Sequence, residues 1–131
     1  MNRYVLYLST AILLMTGCTS EPKKYSESTA PSIYPDFTEI TVPSNIASPN
    51  FLIEDEAHSY VTVLESGKSK VCIKGRKVLI PLRKWKKLTA QGDISVTIYE
   101  KREKGWARMK PFSIYVSDEI DSYLTYRLIP P

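Results

Sequence analysis

The sequence is poor in the residues on which metal, cofactor and nucleotide sites depend. Its 131 residues include one histidine, two cysteines and five glycines. A structural zinc ion takes four Cys or His ligands, which this chain does not supply. The glycine-rich phosphate motifs GxGxxG and GxxxxGK[ST] are also absent. The sequence therefore predicts no metal and no cofactor. With 43% hydrophobic and 24% charged residues, its composition is that of one globular domain.

Long apolar runs are missing as well, and the longest one is an export signal rather than a membrane span. Arg3 precedes an apolar stretch from Tyr4 to Met15, which is shorter than the roughly twenty residues that a transmembrane helix needs. The segment from Leu14 to Cys18 resembles the bacterial lipoprotein signal, with Met15 where leucine is more usual. We therefore expect residues 1–17 to be a lipoprotein signal peptide and Cys18 to carry the lipid, palmitate included. The alternative is a plain secretory peptide followed by a chance cysteine.

An acylated Cys18 has consequences for location and for the second cysteine. No aspartate follows Cys18, which favours the outer membrane, facing either the periplasm or the cell surface. Nucleic acid is not a ligand in that compartment, so the net charge of +4 does not indicate a DNA- or RNA-binding protein. Cys72 is left without an intrachain disulfide partner, and we expect it to be a small apolar filler in a strand.

The mature chain divides into a tether, a β-rich domain and a terminal helix. Residues 18–37 are rich in proline and serine and predict a disordered tether. Residues 38–117 predict an all-β domain, an immunoglobulin-like β-sandwich of about seven short strands. Residues 118–131 have helical spacing after the N-cap Ser117 and predict a C-terminal helix leading to a following domain. Candidate strands are residues 38–42, 51–54, 59–65, 70–74, 77–82, 94–99, 106–109 and 112–116.

The period of two assigns one face of each strand to the core. We expect these inward residues to include Val71, Ile73, Val78, Ile80, Leu82, Ile94, Val96, Ile98, Phe112, Ile114 and Val116. Residues 83–90 predict one or two helical turns, with Trp85 and Leu88 pointing inward.

Catalytic arrangements are weakly supported. His58 is the only histidine and follows the acidic stretch of Glu54, Asp55 and Glu56 in a predicted loop. A Ser-His-Asp triad requires a buried, oriented histidine, which nothing in the sequence indicates. The acidic residues lack the spacing of a calcium loop, and we interpret them as a solvated edge. The sequence therefore predicts a protein that is not an enzyme.

A run of cations between residues 68 and 87 contains no acidic residue. It predicts a surface for anionic lipid, lipopolysaccharide or acidic glycans, and the alternative is that these side chains only keep strand edges soluble. Tyr99 and Tyr115 are expected on exposed faces, where they offer a platform for sugar stacking; core packing is the alternative for these tyrosines and for Trp85 and Trp106. The candidate anionic-ligand surface comprises Lys74, Arg76, Lys77, Arg83, Lys84, Lys86 and Lys87.

Three stretches resemble the first domain of a group of Bacteroidetes outer-membrane lipoproteins that carry a TolB-like β-propeller. These stretches are residues 41–51, residues 78–88, with Ile80-Pro81-Leu82 before Trp85, and Pro111-Phe112 followed by residues 120–129. The resemblance covers about Thr38 to Ile129. It implies a lead module that precedes a propeller, and we expect this chain to be the N-terminal fragment of such a protein. The haem motif CxxCH found in some members is absent here, so no cofactor residue carries over.

Two hypotheses follow. The first is a non-enzymatic envelope lipoprotein whose tethered sandwich binds or scaffolds an envelope partner. The second is a complete small lipoprotein that recognises a glycan or an anionic lipid through its basic and aromatic surface.

Overall fold

The computed structural model describes residues 21–118. The predicted signal peptide, Cys18 and residues 119–131 of the predicted C-terminal helix lie outside the described residues. Ten strands and one helix follow in chain order: β1 (Ser26–Glu27), β2 (Ile33–Tyr34), β3 (Ile40–Pro43), β4 (Phe51–Ile53), β5 (Ser59–Ser66), β6 (Ser69–Lys74), β7 (Lys77–Val78), α1 (Leu82–Thr89), β8 (Ile94–Arg102), β9 (Gly105–Arg108) and β10 (Phe112–Ser117).

A seven-stranded sheet is organised around β8. Strand β5 pairs antiparallel with one side of β8, and β6 continues the sheet beyond β5. The other side of β8 pairs first with β9 and then with β10. The outermost strands on that side are β1 and β3, which run parallel to β9 and β10. Two strands from the N-terminal part of the domain, β1 and β3, thus form parallel pairings with strands from its C-terminal part, β9 and β10.

Strands β9 and β10 pair with the same side of β8 and are separated by a bulge. Met109 donates its backbone N–H to Ile98, whereas Phe112 lies opposite Val96. Two residues, Lys110 and Pro111, therefore stand against Thr97 alone. Because proline has no N–H to give to a ladder, Pro111 fits at this position and not within regular pairing.

A three-stranded antiparallel sheet, in the order β2-β4-β7, shares one apolar core with the larger sheet. Ile33, Phe51 and Val78 enter this core from the small sheet, and the rings of Phe51 and Phe112 meet edge to face at 6.5 Å. Helix α1 also contributes to it. Trp85 is fully buried there and donates its indole N–H to the Ile46 carbonyl at 3.0 Å.

The β-rich class and most of the strand positions are confirmed. Leu82 is a correction, since it is 52% exposed where the alternation predicts burial. The strand containing Val78 ends early, and Pro81 precedes the first turn of α1, where a fixed φ suits a helix start. The immunoglobulin-like topology is not confirmed, because the edge strands β1 and β3 pair in parallel.

Residues 21–37 differ from the predicted tether. They form β1 and β2, Ile33 is buried in the core, and Phe37 packs against it. Proline and serine keep a chain extended only where its apolar residues find no partner. Here Tyr25, Ile33 and Phe37 each find one, so this segment belongs to the folded domain.

Candidate ligand-binding surfaces

The cations predicted as one surface fall into two groups. Lys74 ends β6, Arg76 lies in the following turn and Lys77 begins β7. The other four, Arg83, Lys84, Lys86 and Lys87, lie on α1. The seven side chains therefore belong to separate elements, and each group must be considered by itself.

The Arg76 guanidinium is already bound to two backbone carbonyls. Its Nε donates to the Ile53 carbonyl at 2.7 Å, and its Nη2 donates to the Glu54 carbonyl at 3.0 Å. Gly75 adopts φ +104°, a conformation open to glycine, and so turns the chain between β6 and β7. Arg76 thus ties this turn to the end of β4 and is not a free cation.

The cations of α1 are all exposed and face away from the buried Trp85 and Leu88. Within residues 21–118, none of them has a carboxylate oxygen within 4.0 Å. Lys86 and Lys87 occupy the last turn, where positive charge complements the helix dipole. This helix face can therefore attract an anionic surface without first breaking an ion pair. We call Arg83, Lys84, Lys86 and Lys87 the cationic helix face.

The predicted aromatic platform does not form. Tyr99 is only 2% exposed and packs edge to face against Tyr25, at 5.3 Å between ring centroids. Burial, followed by its hydrogen bond to Glu21, raises the pKa of the Tyr99 hydroxyl. Tyr115 is exposed as predicted, and its hydroxyl donates to Glu39 at 2.9 Å. Trp85 is in the core, and half-buried Trp106 has the Lys101 ammonium 6.0 Å from its ring centroid.

Tyr99 is buried because residues 21–25 cross the outer face of the large sheet before residues 26–27 join the edge of that sheet as β1. Residues 21–28 together form one segment, which we call the N-terminal strap. The Glu21 carboxylate accepts hydrogen bonds from Lys70 and from the Tyr99 hydroxyl, and these bonds lower its pKa. Farther along the strap, Arg108 pairs with Glu27 at 2.8 Å and lies over the ring of Tyr25. Charged contacts thus hold both ends of the strap.

A buried carboxylate on β8, on the opposite face from Tyr99, binds the C-terminal end of the strap. Glu100 is fully buried, accepts a hydrogen bond from the Ser28 hydroxyl at 2.8 Å and pairs with Arg102 at 2.9 Å. These three side chains line a groove of about 440 Å³ beside the β8–β9 turn. Since both carboxylate oxygens already have partners, we assign Glu100 a structural role.

Sequence reasoning missed one exposed aromatic side chain, Tyr34, because it was assigned to the tether. Tyr34, Leu52 and Lys77 form a row across the small sheet, and Tyr34 is 68% exposed. Together with Asn50 and Leu79 they line a shallow groove of about 330 Å³. The alternation of Ile33 and Tyr34 is the signal that would have indicated a strand with one exposed face.

The remaining candidates are dispersed. His58 is exposed, while Glu54 and Asp55 accept hydrogen bonds from Ser32. Cys72 is half-buried on β6, and burial raises the pKa of its thiol. Among residues 21–118, no three His, Cys, Asp or Glu side chains converge as metal ligands. In the same part of the chain, no helix is long and apolar enough to cross a membrane.

No protein-family model, curated protein or solved structure matches this chain significantly.

Proposed function

We propose that this protein is a non-enzymatic lipoprotein of the bacterial outer membrane, in which a β-rich binding domain is held at the membrane by acylated Cys18. The observation that carries the proposal is the Leu14–Cys18 motif, which lies at the end of a short apolar export signal, three residues before Glu21, the first residue of the strap. The exposed cationic helix face and the groove at Tyr34 supply the domain with surfaces for a partner.

The resemblance to the TolB-like propeller lipoproteins supports a more specific assignment, in which this domain precedes a propeller and scaffolds an envelope partner. Two sheets around one core support an immunoglobulin-like β-sandwich as the fold class. The parallel pairings of β1 and β3 are then additions at the edges of that architecture.

Metabolic labelling with a palmitate analogue tests the lipid anchor. Cells producing the full-length chain should incorporate the label, and Cys18→Ala should abolish incorporation. Cys72→Ala is the matched control, because it removes the other cysteine and should leave labelling unchanged. Unlabelled wild-type protein, with a mass matching a chain cleaved elsewhere, would contradict the proposal.

A second candidate function is binding of an acidic glycan in the groove of the small sheet. It is favoured by the exposed ring of Tyr34 and by Lys77, which lines the same groove on the other side of Leu52. An aromatic face stacks on a sugar ring, and the ammonium pairs with a uronate. Calorimetry with an oligogalacturonate should show binding that Tyr34→Ala weakens at least tenfold and Tyr34→Phe preserves. Equal binding by the Ala variant would exclude this groove.

A further inference from the structure

The strap shortens the connection between the proposed lipid and the folded domain. Glu21 is fastened to Lys70 and Tyr99, so only Thr19 and Ser20 separate Cys18 from the domain. An extended chain spans at most about 3.6 Å per residue, which places the Cα of Cys18 within about 11 Å of that of Glu21. This step rests on the proposed acylation of Cys18. An acylated cysteine lies at the membrane surface, so the end of the sheet that bears Glu21 lies there too.

Glu21 and the cationic helix face both lie near the β6 edge of the large sheet, although the strap packs on its outer face and α1 on its core face. Glu21 pairs with Lys70 on β6, and helix α1 packs against β5 and β6. Two residues along β6 from Lys70, the Cys72 thiol is close enough to both Glu21 and Lys84 for each charge to influence its pKa, in opposite directions. The anchor point and Lys84 therefore converge on β6.

We infer that α1 docks on the membrane that holds the acyl chains, with Arg83, Lys84 and Lys87 against the phosphates of anionic phospholipids. These cations are exposed and, within the described residues, have no carboxylate partner. Lys23 and Lys24, exposed in the strap, add positive charge next to the anchor. Each cation near an anionic surface strengthens binding about fivefold. The short connection raises the effective phosphate concentration at α1 far above that for a freely diffusing domain.

Lysine reactivity in vesicles tests this orientation. The acylated protein is reconstituted into vesicles of phosphatidylcholine alone or with about 30% phosphatidylglycerol. It is then treated briefly with a water-soluble amine-reactive ester and analysed by peptide mass spectrometry. Lys84 and Lys87 should react at least threefold more slowly in the anionic vesicles. Lys104 and Lys110, exposed on other segments, serve as internal controls and should react equally in both. Since salt screens charge, about 0.5 M NaCl should remove the protection.

Two variants sharpen the test. A flexible Gly/Ser insertion of about 20 residues between Ser20 and Glu21 adds roughly 25 Å of average reach and should reduce the protection of Lys84 at least twofold. Arg83→Gln/Lys87→Gln should reduce it too, whereas Lys104→Gln/Lys110→Gln should not. Glutamine keeps helix propensity, so α1 should remain folded, as circular dichroism will check.

The outcomes separate the two proposals. An unmodified Cys18 in the intact mass overturns the proposed function and this inference with it. An acylated Cys18 with equal reactivity of Lys84 in both vesicle types overturns only the docking of α1. Protection that persists in phosphatidylcholine vesicles also overturns it, because the contact would then not depend on anionic lipid.

Discussion

The two faces of the large sheet are covered by different means. On the core face, Leu64, Val96 and Ile98 are packed beneath the small sheet and α1 in one apolar cluster. On the outer face, Val61, Val63 and Tyr99 form a smaller cluster, against which the strap lays Tyr25. The strap is held by charged groups at both ends, whereas the core face is closed by apolar side chains.

The core face therefore stabilises the domain, whereas the strap sets the point at which the chain leaves it. Burial of apolar area depends little on pH or salt, so the core face should dominate the free energy of unfolding. Exposed ion pairs each contribute at most about 1 kcal/mol and are screened by salt. The strap should therefore open without unfolding the domain, and its closure determines where the chain leaves toward Cys18.

The largest expected effect compares the aromatic residues that cover each face. Trp85→Ala should lower the free energy of unfolding by about 3–5 kcal/mol, since it leaves a cavity beneath α1. Tyr25→Ala should lower it by about 1 kcal/mol, because its ring is 41% exposed and loses chiefly the contact with Tyr99. Equilibrium urea unfolding measures both. Equal losses would contradict the view that the core face dominates.

The next comparison sets an ion pair with a buried carboxylate against one at the surface. Arg102→Gln should destabilise the fold by about 1–3 kcal/mol, because the buried Glu100 carboxylate loses its charged partner. Arg108→Gln, whose partner Glu27 is 64% exposed, should cost less than about 1 kcal/mol. Urea unfolding of both variants checks the order, and a larger loss for Arg108→Gln would reverse our interpretation.

A stabilising substitution is expected on the core face. The Thr62 hydroxyl is buried without a hydrogen-bond partner among the described residues, so Thr62→Val should raise the free energy of unfolding by about 1 kcal/mol. Thr97, half-buried on the outer face opposite Val63, is the control. Thr97→Val should change stability by less than about 0.5 kcal/mol. Thermal and urea unfolding of Thr62→Val that show no gain would indicate that the hydroxyl is satisfied by solvent.

The smallest effect is pH-dependent opening of the strap. Hydrogen bonds from Lys70 and Tyr99 lower the pKa of Glu21, so the carboxylate form favours the closed strap. This contribution is present above the ordinary glutamate pKa and is lost as the pH falls through the lowered pKa of Glu21. Hydrogen exchange of residues 21–28, corrected for intrinsic rates, should speed up about two- to fivefold relative to β8 on acidification.

Glu21→Gln provides the control for this measurement. It removes the titrating group, so the strap should already exchange faster at neutral pH and lose most of its response to acid. An unchanged pH response would contradict the assignment of the opening to Glu21.

Local patterns predicted most of the strands, and their failures have two causes, one local and one long-range. Alternation placed Ile94, Val96 and Ile98 correctly because a strand with one buried face must repeat every two residues. Leu82 was wrong because Pro81 changes the local geometry from strand to helix. Tyr99 fits the strand pattern, but no local rule indicates that Tyr25 will pack against it.

The features of the candidate sites also divide into those set by neighbouring residues and those set by residues distant in the chain. The exposure of the α1 cations follows from helical spacing opposite Trp85 and Leu88. The use of Arg76 by two backbone carbonyls, the burial of Glu100 and the groove at Tyr34 depend on residues 18 or more positions away in the chain. A window of neighbouring residues does not contain these partners.

The sequence by itself determined most of the strand positions and the position of α1, because side-chain periodicity and backbone-restricting residues act locally. It also supplied the Cys18 motif, which is a short linear pattern. Only the tertiary structure decided that residues 21–37 fold onto the domain, that Tyr99 is buried and that Glu21 lies at the same sheet edge as α1. These depend on which distant surfaces meet, because the contacts of Glu21 and Tyr25 exist only when the sheet is assembled.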